Sequence, residues 1–338
     1  MKPTLYSTAP LRGKGLELLR QFANVIEDPW DVHVPVRFYD PDALAEKLKE
    51  VNPTFLVVEV DGVTRPVIEA CPSLVAIGAC RGDPWNVDVA AATEAGVCVL
   101  RAPGRNAEAV AELALALALA VRRRIVDADR DVRAGNWVVD GRIAYQRFQG
   151  KELPGSVVGV VGFGAVGQAF ARLARGLGCR VLAHDPYAPA EAYEKLGVAQ
   201  SSLEEVLSGA GLVSLHAAVT PESQGMIGAE QIGWMPEGAV LINTARAGLV
   251  DQDAMLAALE SGRLGGAGLD HFPNEYIAPD HPLTRIPNVV LTPHIGGASF
   301  ETIDRHTAII ARGIADVMEG KRPGQLVNGD VWDRRRTL

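Results

Sequence analysis

"VVGVVGFGAVGQAFARLARGLGCRVLAHD", residues 157–185, decides the fold. Residues 157–161 form an apolar run that ends at Gly162 and reads as a buried strand. Gly164 and Gly167 complete a G-x-G-x-x-G spacing around Phe163, Ala165 and Val166. A helical run of Ala, Arg and Leu follows at once, and a second apolar strand ends in Asp185. The glycines have separate tasks: Gly162 for the tight turn, Gly164 for close approach of a pyrophosphate, Gly167 for helix–strand contact. The following helix offers free N–H groups and the positive end of its dipole to a phosphate. The glycine spacing alone is weak and would suit a turn in some other α/β protein. Strand, loop, helix, strand and terminal acid in this order are a strong signal. Asp185 can accept from both ribose hydroxyls and repels a 2′-phosphate, while Pro186, Tyr187 and Ala188 add no cation. The stretch predicts a dinucleotide site that prefers NAD to NADP.

Outward from it, short apolar runs alternate with helical patterns along the chain. Residues 54–60, 74–79 and 96–100 read as strands upstream, with helices at 41–51 and 86–96 between them. Downstream strands are expected at 179–184, 211–216, 238–243, 265–270 and 288–293. This βαβ alternation predicts parallel sheets covered by helices. A long helix over 107–124, with Asn106 as its N-cap, and an irregular stretch to about 153 interrupt the pattern. A last helix is expected at about 299–319. We expect two α/β domains, 1–102 rejoined by 297–338 and 103–296. The return of the last helix to the first domain is not fixed by the sequence.

Length and composition set the class. The chain has 338 residues, comfortable for two domains, and is 48% hydrophobic and 22% charged, as expected of a soluble globular enzyme. A net charge of −8 gives no footprint for nucleic acid. The run Arg122-Arg123-Arg124 closes an apolar helix, where positive charge suits the helix C-terminus. Cys71, Cys80, Cys98 and Cys179 show no metal or CxxC spacing and read as free thiols of a reducing, cytoplasmic setting. No metal site is expected. The apolar run 107–121 carries Glu108 and Glu112 and is too short for a bilayer. The N-terminus has no apolar core of a signal peptide.

Three polar groups follow strands of the second domain: Arg246 in "NTARAG", Asp270 and Glu275 in "GLDHFPNE", and His294 in "TPHIGG". Taken singly each has a bland interpretation. A loop arginine is usually solvated, Glu275 is a surface acid, Asp270 a helix cap, His294 a satisfied histidine at a strand end. Their joint occurrence behind a dinucleotide motif points to catalysis. Arg246 offers a planar fork for carboxylate and carbonyl oxygen. His294 can pass a proton near neutrality, and Glu275 can orient and stabilise its charged form.

With "VGFGAVG", "LHAAVTPES", "NTARAGLVD", "GLDHFPNE" and "PHIGG" in this order, the chain resembles the D-isomer-specific 2-hydroxyacid dehydrogenases over about 50–325. The resemblance implies a Rossmann NAD-binding domain inserted in a flavodoxin-like α/β substrate domain. It also implies a D-2-hydroxy acid/2-oxo acid pair as substrate, and a homodimer formed through 107–124 and 136–148. It implies catalytic Arg246, Glu275 and His294. It further implies cofactor contacts by Gly162, Gly164, Ala165, Val166, Gly167, Asp185, His216, Ala217, Ala218, Thr244, Ala245, Asp270 and Gly296. Asp270 would face the nicotinamide carboxamide, and the loop Cys80-Arg81-Gly82-Asp83 would meet the substrate carboxylate through its backbone. Three positions depart from the family's pattern: Ala218 for a common proline, His271 for a small aliphatic, and the charged pair Arg81 and Asp83 in a loop that is otherwise uncharged. That pair points to a polar or hydroxylated substrate. A non-enzymatic NAD-sensing corepressor of the same fold is the competing interpretation. A formate dehydrogenase is disfavoured by Glu275, where those enzymes place a glutamine. No regulatory domain is expected after the core, unlike that of many phosphoglycerate dehydrogenases.

Overall fold

The computed structural model describes residues 2–338. The chain divides into two compact units, the residues up to Arg105 with Ser299–Leu338, and Asn106–Ala298.

The first unit is built on strands β1 (Thr4–Ser7), β2 (Asn24–Glu27), β3 (Phe55–Val58), β4 (Ala76–Ala79) and β5 (Cys98–Arg101). All are parallel, in the order β2-β1-β3-β4-β5, the flavodoxin-like arrangement. Every residue of β3 and β4 is buried, as a parallel sheet with helices on both faces requires. The helix Phe300–Met318 lies on this sheet and sinks Ile310, Ala311 and Ile314 among Leu5, Phe55 and Leu100. Helix Gly13–Phe22 packs against it at Gly15, where a Cβ would stand 2.6 Å from the Ala308 nitrogen. Beyond that helix, Asn328 accepts from the Val99 N–H (2.9 Å) and donates to the Val97 carbonyl (2.9 Å). The C-terminal segment is thus part of the first core. The sequence left that return open because nothing in the residues 299–338 names their partner.

The second unit holds, after two helices, a small hairpin of two-residue strands, β6 (Val138–Val139) and β7 (Arg142–Ile143), that is separate from the main sheet. That sheet carries seven parallel strands, β8 (Val157–Val161), β9 (Arg180–His184), β10 (Ala199–Gln200), β11 (Leu212–Leu215), β12 (Ala239–Asn243), β13 (Leu264–Leu269) and β14 (Val289–Leu291). It runs β10-β9-β8-β11-β12-β13-β14, the doubly wound order with a seventh strand added. From β8 the chain winds outward to β9 and β10, then crosses back to β11. The carboxyl ends of β8 and β11 therefore flank the crevice where such sheets bind ligands.

The alanine-rich helix Ala107–Arg122 covers β12 and β13. Small residues on both sides allow close approach: a Cβ on Gly268 would stand 2.8 Å from that of Leu117. The helix departs from expectation at both ends. Asn106 precedes it but makes no side-chain capping bond. Arg124 takes a left-handed backbone (φ +51°), which ends the helix and starts a second, Ile125–Arg133. Arg122 is buried and donates to the Glu152 carbonyl (2.7 Å), tying residues 151–152 to the helix instead of sitting solvated at its end. Among the described residues no helix is long and apolar enough to cross a membrane.

Candidate active site

The glycine-rich loop leaves β8 at the crevice. Gly162 has φ +91°, and a Cβ there would lie 2.3 Å from the Ala217 nitrogen and 2.5 Å from the His216 carbonyl carbon. Only glycine lets the loops after β8 and β11 touch this closely. Gly167 sits two residues into the helix that Ala165 and Val166 open, and its Cβ would lie 2.0 Å from the Gly162 oxygen. Gly164 is different: no atom lies within 4 Å of a Cβ built on it. The fold does not need that glycine, so the open space is available to a ligand phosphate.

Asp185 at the end of β9 is fixed from both sides. Oδ2 accepts from the Phe163 N–H (2.7 Å) within the glycine loop, and Oδ1 from the N–H groups of Tyr187 (2.9 Å) and Ala188 (3.2 Å). His216 turns inward: its ring tilts on Phe170 at 5.1 Å, Nε2 lies 2.9 Å from Ser214 Oγ, and burial pushes its pKa down to about 3. Its Nδ1 is shielded and has no hydrogen-bond partner, although the residue as a whole is half-buried. It is a neutral group beneath the loop, with no charge to offer. Ala218 contributes its carbonyl to a turn closed by Ser223 Oγ (2.7 Å). The Thr244 hydroxyl is buried without a partner. An open cradle at Gly164, an anchored acid and an orphaned hydroxyl at the same sheet edge fit a dinucleotide.

Strands β12, β13 and β14 are neighbours, so their carboxyl ends bring Arg246, Asp270, Glu275 and His294 to one edge. Asn243, the last residue of β12, shapes the first turn: Oδ1 accepts from Ala245 N–H (3.1 Å) and Nδ2 donates to the Arg246 carbonyl (2.8 Å). The Arg246 side chain remains exposed. Asp270 is wholly buried, and its carboxylate accepts from Thr292 Oγ1 (2.6 Å), Ile295 N–H (2.9 Å) and Gly296 N–H (2.8 Å). Its carbonyl accepts from the His294 N–H at 2.9 Å. Asp270 thus builds the loop that carries His294, a task that the sequence did not suggest.

His294 and Glu275 both occupy left-handed backbone, each at φ +55°. Such strain in a non-glycine residue persists only where surrounding contacts impose it, and it clusters at functional sites. His294 Nδ1 lies 3.0 Å from Glu275 Oε2. The pair is about half exposed, at 47% and 54% of the side-chain surface. It borders an open cleft of about 500 Å³ lined also by Phe272, Tyr276, Ile277 and Pro293. His271 is the residue that the sequence marked only as a departure. It is buried, its Nδ1 lies 3.5 Å from Glu275 Oε1, and its ring stands 3.9 Å from that of His294. Burial and the nearby His294 and Arg246 hold its pKa below the ordinary imidazole value.

In the first unit, Cys80 is wholly buried, Gly82 and Asp83 are exposed, and Arg81 donates from Nε to the Glu59 carbonyl. The Arg81 guanidinium also lies over the Trp85 ring, 4.9 Å from its centroid.

Comparison with known proteins agrees with this geometry. Residues 115–296 match the family described as "D-isomer specific 2-hydroxyacid dehydrogenase, NAD binding domain". A glyoxylate reductase of Korarchaeum cryptofilum is 36% identical over 333 residues, 98% of this chain and 97% of that protein. A D-3-phosphoglycerate dehydrogenase of Methanocaldococcus jannaschii is 35% identical over 90% of this chain but only 56% of its own length. Among solved structures, the TT0316 protein of Thermus thermophilus superposes with a TM-score of 0.80 at 35% identity, covering 96% of this chain and 99% of that one. The chain is a two-domain NAD-binding dehydrogenase in its architecture. It belongs to the D-isomer specific 2-hydroxyacid dehydrogenase family.

The glycines separate fold from ligand. Gly162→Ala and Gly167→Ala are expected to lower Tm by several degrees. Gly164→Ala is expected to leave Tm unchanged while weakening NADH binding on the order of tenfold, about 1.4 kcal/mol. Thermal melts and NADH fluorescence titration of the three variants check this; a destabilised Gly164→Ala protein would show that the cradle is structural.

Proposed function

We propose that this protein interconverts a 2-oxo acid and the corresponding D-2-hydroxy acid with NAD(H). The observation that carries the proposal is the His294–Glu275 pair, held in strained backbone beside Arg246 at the edge that also presents the glycine loop. Bound NADH supplies the hydride for the 2-oxo carbon. Arg246 pairs with the substrate's carboxylate and carbonyl oxygen, as its exposed guanidinium allows. Glu275 fixes His294 through Nδ1, so that Nε2 is the atom that gives the proton to the new hydroxyl. Asp270 acts on the reaction by holding the His294 loop, and its backbone neighbours complete the cofactor edge.

His294→Asn is expected to lower kcat on the order of 10²–10⁴-fold with NADH binding retained, the usual scale of general acid–base catalysis. Reduction needs the charged imidazole and slows as pH rises, whereas oxidation needs the neutral ring and slows as pH falls. NADH oxidation across pH, in wild type and variant, checks the first, and NAD reduction across the same range the second. Full turnover by His294→Asn would remove this residue from its role.

The substrate is proposed to be polar. The loop Cys80-Arg81-Gly82-Asp83 presents Asp83 to solvent and holds Arg81 on Trp85, an arrangement suited to hydroxyl or anionic groups. Hydroxypyruvate and longer polyhydroxy 2-oxo acids are expected to exceed pyruvate and 2-oxoisocaproate in kcat/KM, and Arg81→Ala to narrow the ratio. A wild-type preference for the aliphatic acids would overturn this assignment. Asp185, with no cation following it, supports NAD over NADP. Kinetics with both cofactors are expected to favour NADH, and Asp185→Ser to reduce that preference.

We also propose a homodimer. Ile125, Val132, Trp137, Val138, Ile143 and Tyr145 are six large exposed apolar residues within the segment 125–148, a density that suits an interaction surface. Sedimentation is expected to give a dimer that dissociates in the double variant Trp137→Asp, Tyr145→Asp.

A further inference from the structure

His271, Glu275 and His294 are brought together by two separate loops, one after β13 and one after β14. Both histidines turn Nδ1 toward the same carboxylate, at 3.5 Å and 3.0 Å. One ligand atom from each of the three residues lies within 4.8 Å of the other two, and no other such group of His, Cys, Asp or Glu occurs among the described residues. The His271 residue is 4% exposed, and its Nδ1 is shielded from solvent without a hydrogen bond. A buried nitrogen of this kind is costly unless something engages it.

We propose that His271, Glu275 and His294 form a binding site for a zinc-like transition-metal ion, and that its occupation takes His294 out of proton transfer. The donor set decides the class of ion. Two imidazoles and one carboxylate, with a fourth position left open, suit tetrahedral zinc. Magnesium and calcium require oxygen ligands. Ligands at about 2.0–2.1 Å from zinc in a tetrahedron stand about 3.3 Å apart. The 3.0 Å between His294 Nδ1 and Glu275 Oε2 is close to that value, and one ligand atom from each of the three residues lies within 4.8 Å of the others.

The ligands are also held in place before any ion arrives. Glu275 and His294 are fixed in left-handed backbone, the His294 N–H is bonded to the Asp270 carbonyl, and His271 is enclosed by the core. The half-exposed faces of Glu275 and His294 leave the open coordination position toward the cleft. A small aliphatic residue at 271 would leave only two ligands, so the site is a property that His271 gives to this chain.

The inhibitory consequence rests on His294 as proton donor; the binding of metal does not. The test uses the full-length protein after treatment with a chelator. Titration with zinc chloride by calorimetry, and with Co(II) as a visible-absorption probe of nitrogen and oxygen ligands, is expected to show one ion per chain. His271→Val and Glu275→Gln are expected to weaken binding on the order of 10–100-fold. Glu275 is exposed, so its variant serves should the buried His271 change fail to fold. Zinc added to the wild-type reduction assay is expected to inhibit reversibly. His271→Val is expected to need on the order of ten times more zinc for half-inhibition, each protein measured against its own zinc-free rate. Absence of binding in the wild type, or equal affinity in the wild type and both variants, would overturn the site. One ion bound as expected in a protein that reduces no 2-oxo acid would leave the site standing and reject the proposed activity instead.

Discussion

A buried carboxylate holds the working edge of the second unit together. Asp270 directly follows β13, has no exposed surface, and gathers a hydroxyl and two backbone N–H groups from the loop after β14. A carboxylate buried without partners would be costly, and the three hydrogen bonds it accepts offset that cost. Its own carbonyl bonds the His294 N–H, so the loop has little freedom other than the left-handed turn that aims the imidazole at Glu275. Remove that carboxylate and the strand edge survives, but the loop carrying the histidine loses its three anchors.

How much of this was legible before the structure depends on how local the cause is. The glycine loop was readable because each glycine answers a short-range demand: Gly162 meets Ala217, Gly167 meets Gly162, and Gly164 meets nothing. Arg246, Glu275 and His294 could be named because they follow strands. That their strands β12, β13 and β14 lie side by side is a property of the sheet order, which no single segment contains. The Asp270 network was missed for the same reason: its partners lie 22–26 residues away, in a loop whose shape the acid itself creates. His271 stood out in the sequence as an odd residue, yet only the fold shows its ring beside that of His294.

Elsewhere the limits were different. Strands β1 and β2 and the first helix give no clear signal in residues 1–40, although β1 is interior to its sheet. A four-residue strand such as Thr4–Ser7 is too short for periodicity to declare itself. The helix expected to run to 124 breaks at Arg124, where a left-handed residue is imposed by tertiary contacts and not by local preference. Arg122 shows the same effect in a side chain. Its charge reads as surface, but two backbone carbonyls near residue 151 draw it inside.

The helix Phe300–Met318, which completes the first unit's core, also constrains how the molecule is made. On the ribosome the inserted unit, 106–298, emerges complete while the first still lacks the helix that covers β4 and β5. Until Ile310, Ala311 and Ile314 are translated, the groove that will receive them stays open beside Leu5, Phe55 and Leu100. The order of synthesis therefore makes the NAD-binding unit the first to mature, and the N-terminal residues the last to find their final packing. A nascent chain stalled near residue 298 would carry a finished nucleotide fold attached to an unsealed apolar surface, the form in which this protein most needs a chaperone.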